Sequence, residues 1–120
     1  MGKTVGAPDA NTAPIQVVRA EGATGRTVAE LYDERGALSG KTVALRGQVV
    51  KYSAGIMGRN WIHLRDGTGD ATAGTHDITV TSSGTTAVGD VVLVQGTVAV
   101  DKDFGAGYLY AVIVEDASVQ

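Results

Sequence analysis

The sequence predicts a mainly β domain in which five short strands close a small barrel, with one short N-terminal helix ahead of them. Three observations carry that prediction. Seventeen glycines against one Phe and one Trp in 120 residues describe a chain of many turns and sharp bends. Apolar and polar residues alternate at the two-residue period of half-buried strands in several stretches. Helical spacing is confined to one stretch, which has its own start signal. At 43% hydrophobic content the chain fits one domain with a core that needs no staples.

Taken in order, residues 1–14 are small and polar, hold both prolines, and read as a flexible arm ahead of a domain over 15–120. Residues 15–19 alternate weakly and are expected to form a short edge strand. Thr27-Val28-Ala29-Glu30 has the form of a capping box, and Val28, Leu31, Tyr32 and Arg35 recur at helical spacing up to Gly36, placed to stop the helix. Its apolar side, with Tyr32 as a packing residue, closes one end of the barrel. The first barrel strand, 42–52, puts Val43, Leu45, Gly47 and Val49 on one side and Arg46, Gln48 and Val50 on the other. Gly47 permits the bend that lets one long strand serve both sides of a closed sheet. The second, 59–65, turns Ile62 and Leu64 inward and Trp61, His63 and Arg65 outward. The turn from Asp66 to Asp70 leads to a third strand over 76–81, with Ile78 and Val80 inward. A fourth over 90–100, bent at Gly96, and a fifth over 108–115 complete the set. This meander with two long-bent strands is the pattern of an OB-fold barrel. The helix precedes the first strand and the link SSGTTAVG after the third is too short for a long one, a departure from the usual arrangement.

The formal charge of −3 argues against a protein that coats nucleic acid by bulk attraction. It also conceals an asymmetry. Residues 41–65 carry five basic side chains (Lys41, Arg46, Lys51, Arg59, Arg65) and no Asp or Glu, whereas 66–120 carry eight acids and the single base Lys102. A stripe of one sign on the first two strands orients an anionic ligand onto one surface. Aromatic faces stack on bases while basic side chains track phosphates. The candidate ligand-binding set is therefore Arg46, Gln48, Lys51, Arg59, Trp61, His63 and Arg65 from the first strands, with Lys102 and Phe104 from the last link. Loops 53–59 and 101–107 frame the groove and bring Met57 to its rim; Asp101 and Asp103 oppose a phosphate there. Trp61 has two roles open to it: a stacking surface, or an anchor beneath the loops with Phe104 packed on it.

The segments TVAELYDERGALSGKTVALRGQVV, GIMGRNWIHLRDGTGD, HDITVT, VGDVVLVQGTVAVDKDFGAGY and YAVIVED cover roughly residues 15–116. They resemble a group of small bacterial OB-fold proteins, NrfJ-related ones among them, described as nucleotide- or DNA-binding. The resemblance implies an OB-fold and a nucleotide or nucleic-acid ligand. Because many relatives are exported alongside electron-transfer or envelope proteins, it also implies a periplasmic setting.

Nothing in the sequence points to catalysis. The absence of cysteine excludes disulfides, thiolate metal sites and cysteine nucleophiles. His63 and His76 lie in strands with no nucleophile elbow near them, and Asp66 and Asp70 read as turn and capping residues. His63, Asp66, Asp70, His76 and Asp77 have no recognised ligand spacing, so neither a metal nor another cofactor is expected. No run is long and apolar enough to span a membrane, and MGKTVGAPDA has no apolar stretch behind its lysine, so no signal is expected in the chain as given; residues 1–14 read equally well as what remains after an export signal is removed. The function expected is a noncatalytic module that binds single-stranded nucleic acid or a nucleotide through the outer face of strands one to three. The alternative is an exported interaction module for an envelope protein or a glycan.

Overall fold

The computed structural model describes residues 14–120; the expected arm lies outside the described residues apart from Pro14. Two short helices come first, α1 (Val28–Asp33) and α2 (Arg35–Leu38). Five strands follow: β1 (Thr42–Ile56), β2 (Arg59–Arg65), β3 (Ile78–Ser82), β4 (Val91–Asp103) and β5 (Leu109–Val119). The sheet closes on itself in the order β1-β2-β3-β5-β4. Every pairing is antiparallel except that of β3 with β5.

The capping box starts α1 as its residues require. Thr27 Oγ1 accepts from the Glu30 N–H at 3.1 Å, and Glu30 Oε1 accepts from the Thr27 N–H at 2.8 Å. The single expected helix is in fact two, because Gly36 does not stop it. A second helical turn runs through Gly36, with Leu38 and Ser39 N–H groups donating to the carbonyls of Glu34 and Arg35. Glycine inside a helix costs about 1 kcal/mol. Burial of Leu38 in the core offsets it. Termination comes instead at Ser39 and Gly40, where the Gly40 N–H donates to the Val98 carbonyl at 2.7 Å.

Residues 15–19 are not a strand. Ile15 and Val17 are half-buried and Gln16 and Val18 exposed, so the alternation is real. The segment has one backbone bond to the sheet's neighbourhood, from Val17 N–H to the Asp66 carbonyl at 3.1 Å, and no ladder forms.

Both long strands outrun their expected limits because bulges re-aim them. In β1 the inward series Val43, Leu45, Gly47, Val49 is as the alternation required. A register shift between Val49 and Lys51 then keeps Lys51 outside, opposite His63, and turns Tyr52 toward the core. In β4 the shift falls between Gln95 and Thr97. A Cβ at Gly96 would lie 2.7 Å from the Glu115 carbonyl oxygen and 2.9 Å from Ala117 Cβ, so only glycine lets β5 cross here.

The interior is filled by aliphatic side chains from all five strands, Leu45, Ile62, Leu64, Ile78, Val94 and Val114 among them. Val28 and Leu31 of α1 join the same cluster. Each such side chain contributes about 1.5–3 kcal/mol on burial. Among the described residues, no helix is long and apolar enough to cross a membrane.

Candidate functional site

β2 carries four of the nine candidate residues, Arg59, Trp61, His63 and Arg65, and its two ends have different surroundings. At the first end, Trp61 lies outside the aliphatic core yet is only 5% exposed. The β4–β5 hairpin covers it. Phe104 meets its ring edge-on at 5.1 Å and Tyr110 lies near parallel at 5.9 Å. Tyr108 tilts against it at 6.3 Å. The indole N–H donates to the Ile56 carbonyl at 2.8 Å, which fastens the β1–β2 tip to the same ring. Of the two roles the sequence left open for Trp61, the geometry corresponds to the anchor. Its faces are occupied, so a base cannot stack on it while the hairpin is in place.

The cations at this end gather on Phe104. Arg59 lies 5.6 Å and Lys102 5.4 Å from the ring centroid. Both also approach Glu115, at 3.9 Å for Arg59 and 3.5 Å for Lys102. Two positive charges share one carboxylate. Asp103 accepts from the Gly105 N–H at 2.7 Å and so shapes the hairpin tip. Burial pushes the Tyr110 phenol up, so the cluster holds neutral tyrosine beside its cations. Tyr108 stays 43% exposed, and Ile56 and Met57 at the β1–β2 tip and Leu109 at the start of β5 are exposed as well.

At the other end, His63 and Arg65 converge on Asp77 from β2. His63 Nδ1 lies 3.1 Å and Arg65 Nε 3.0 Å from its two oxygens. Burial raises the Asp77 carboxyl, but the hydrogen bonds from His63 and Arg65 outweigh it and hold the group below the usual carboxylate range. Cross-strand pairing sets Gln48 opposite Arg65 and Lys51 opposite His63. Arg46 pairs with Leu93 of β4, two residues from Gln48 on the same face of β1. The expected set thus divides into a hairpin group (Arg59, Trp61, Lys102, Phe104), a mid-sheet group (Gln48, Lys51, His63, Arg65) and Arg46.

The uninterrupted basic stripe does not survive folding. Asp77 and Glu115, distant in sequence, neutralise part of it. Among the described residues, Lys41, Arg46 and Lys51 make no ion pair. Asp66 is a cap, as expected: its Oδ2 accepts from the Val28 N–H at 2.9 Å and its Oδ1 from the Thr68 N–H at 3.0 Å. Asp70 accepts from the Thr72 N–H at 2.9 Å. Sequence reasoning missed Tyr108 and Tyr110, whose position on the hairpin opposite Phe104 was the available signal.

No family model matches the chain, and no curated protein matches it. Among solved structures it is similar to a protein described as an aspartyl-tRNA synthetase from Leishmania major Friedlin, with a TM-score of 0.54 and 19% identity. The match covers 89% of this chain and 23% of that one. At this identity the likeness is one of fold. The chain corresponds to under a quarter of the length of that protein.

Proposed function

We propose that the chain is a noncatalytic OB-fold module that binds single-stranded nucleic acid or a nucleotide, where the β1–β2 and β4–β5 tips meet. The observation that carries this is a concentration: four of the chain's six aromatic side chains lie in one cluster with Arg59 and Lys102. Base–aromatic stacking contributes about 1–3 kcal/mol per base, and the flanking cations track the phosphates. The closed order with β3 parallel to β5 supports the OB-fold, whose outer face and end loops hold ligands. A fold shared with a protein named for a tRNA-dependent activity supports a polynucleotide over other ligands.

In this reading Trp61 is the floor of the site, and Tyr108 and Phe104 are the surfaces a base meets. Anisotropy of a labelled oligothymidine tests it, with wild type compared with Tyr108→Ala. The variant is expected to bind about tenfold more weakly, with little change in melting temperature because the ring is half exposed. Equal binding by variant and wild type would remove Tyr108 from the site.

Ile56, Met57 and Leu109 favour a second reading, an interaction module for a protein or glycan partner. Exposed aliphatic groups beside an aromatic one suit such a partner better than a phosphate-bearing strand. This reading replaces the first if the folded wild type does not bind oligothymidine at low salt.

A further inference from the structure

Arg65 ends β2, after which the chain turns through Asp66–Asp70 and returns at His76. Between these residues and the N-terminal segment lies an open cavity of about 370 Å³, lined by Pro14, Ile15, Arg65, Gly67, Thr68 and His76 with Ala71 at its side. One wall is fixed by a close approach. Gly67 has φ +91°, and a Cβ there would sit 2.2 Å from the Ile15 carbonyl oxygen, so the segment can lie against this turn only because the residue is glycine.

The polar groups around the cavity are mostly donors with capacity to spare. Thr68 Oγ1 has no hydrogen left to offer: it donates to Asp66 Oδ1 at 2.6 Å and accepts from the Ala29 N–H at 3.0 Å. Arg65 commits Nε to Asp77 at 3.0 Å, and its two terminal nitrogens have no further protein acceptor among the described residues. The Nδ1 atom of His76 is buried with no hydrogen-bond partner. A bare lone pair there costs less than an orphaned N–H, which favours the tautomer with its proton on Nε2, and in that form His76 is a second donor. Three carboxylates lie nearby: Asp66 accepts from the backbone N–H groups it caps, Asp77 pairs with His63 and Arg65, and Asp70, between the lining residues Gly69 and Ala71, accepts from the Thr72 N–H and opposes an anion from the cavity's edge.

We propose that this cavity is a phosphate subsite, in which a phosphoryl group accepts from the terminal nitrogens of Arg65 and from His76. Planar guanidinium and tetrahedral oxyanion match in a bidentate pair. Asp77 offsets part of the Arg65 charge, so the subsite binds free phosphate weakly and gains from any second attachment of the ligand. It lies about 20 Å from Arg59 along β2, at 3.3 Å per residue. The phosphate belongs either to a strand that also occupies the hairpin site, which rests on the reading above, or to a free small molecule.

The chain has two histidines, His63 and His76, so imidazole signals in a nitrogen–proton NMR spectrum separate the two environments. Inorganic phosphate is titrated at constant pH against sodium chloride of equal ionic strength. A saturable shift of His76 with phosphate and not with chloride is expected. Arg65→Gln and Ala71→Glu should each weaken it about tenfold or more. Ala71 is exposed and outside the core cluster, so that variant retains the fold if Arg65→Gln does not. If Ala71→Glu also weakens oligothymidine binding, the phosphate is the strand's; if it weakens only inorganic phosphate, the ligand is free. Should oligothymidine not bind at all while phosphate still moves His76, the subsite stands without the nucleic-acid reading. A His76 response equal for chloride and phosphate, or one that survives both substitutions, overturns the subsite.

Discussion

Trp61 and Phe104 meet edge to face, with ring centroids 5.1 Å apart and planes 78° apart. The only tryptophan is thereby roofed by a hairpin tip more than forty residues further along the chain. Its indole N–H holds the β1–β2 tip through Ile56. One side chain thus couples the two loops that define the proposed ligand mouth.

That coupling separates two substitutions. Trp61→Ala removes a buried ring and is expected to cost about 3–5 kcal/mol, lowering the melting temperature by roughly 10 °C or more. Phe104→Ala removes only the roof, at about 1–2 kcal/mol. It should move Trp61 emission to longer wavelength and raise its quenching by acrylamide. An unchanged emission spectrum in Phe104→Ala would mean that the hairpin is not the cover.

Two glycines are expected to respond in opposite directions. Gly96→Ala drives a Cβ to 2.7 Å from the Glu115 carbonyl oxygen, against backbone that cannot yield cheaply, and should destabilise by about 1–3 kcal/mol. Gly36→Ala meets nothing within 4 Å in a helical turn and should stabilise by about 0.4–1 kcal/mol. Urea midpoints of the pair decide the matter, and a stabilised Gly96→Ala would refute the close crossing of β4 and β5.

Asp66, 3% exposed, links the turn after β2 to the start of α1. Asp66→Ala strands the N–H groups of Val28 and Thr68 and is expected to cost about 2–4 kcal/mol. Asp66→Asn, which retains one acceptor oxygen, should cost less. A loss below about 0.5 kcal/mol in the alanine variant would show that water replaces the cap.

Much of this was legible in local pattern. The capping box, the inward series Val43, Leu45, Gly47, Val49 and the bend at Gly96 follow from spacing and backbone sterics, which the sequence displays directly. Gly36 and the stretch 15–19 misled because tertiary contacts decided them. Burial of Leu38 carried the helix through Gly36, and the lack of a strand neighbour left Ile15 and Val17 without a ladder. The basic stripe misled for a related reason. Asp77 reaches Arg65, and Glu115 reaches Arg59, only after the sheet closes. Linear charge counts do not contain that pairing, nor the meeting of Tyr108 and Tyr110 with Trp61.

Asp77 sets an acid limit on stability. Its folded carboxyl is held below the ordinary value, so its stabilisation is whole above the ordinary aspartate pKa of about 3.9 and is lost as pH falls through the lower folded value. Wild type should therefore exceed Asp77→Asn in stability at pH 7, with the gap closing only below about pH 4. Urea unfolding across the acid range measures it. A gap already closed between about pH 7 and 5 contradicts the assignment.

The central claim is that the aromatic and cationic hairpin end receives bases and phosphates. Fluorescence of Trp61 during titration with short oligothymidine, at low and at physiological salt, tests it most directly because that ring contacts Phe104, Tyr108 and Tyr110. The account predicts a saturable change whose apparent affinity weakens as salt rises. No change at either salt, with the protein folded, would contradict it.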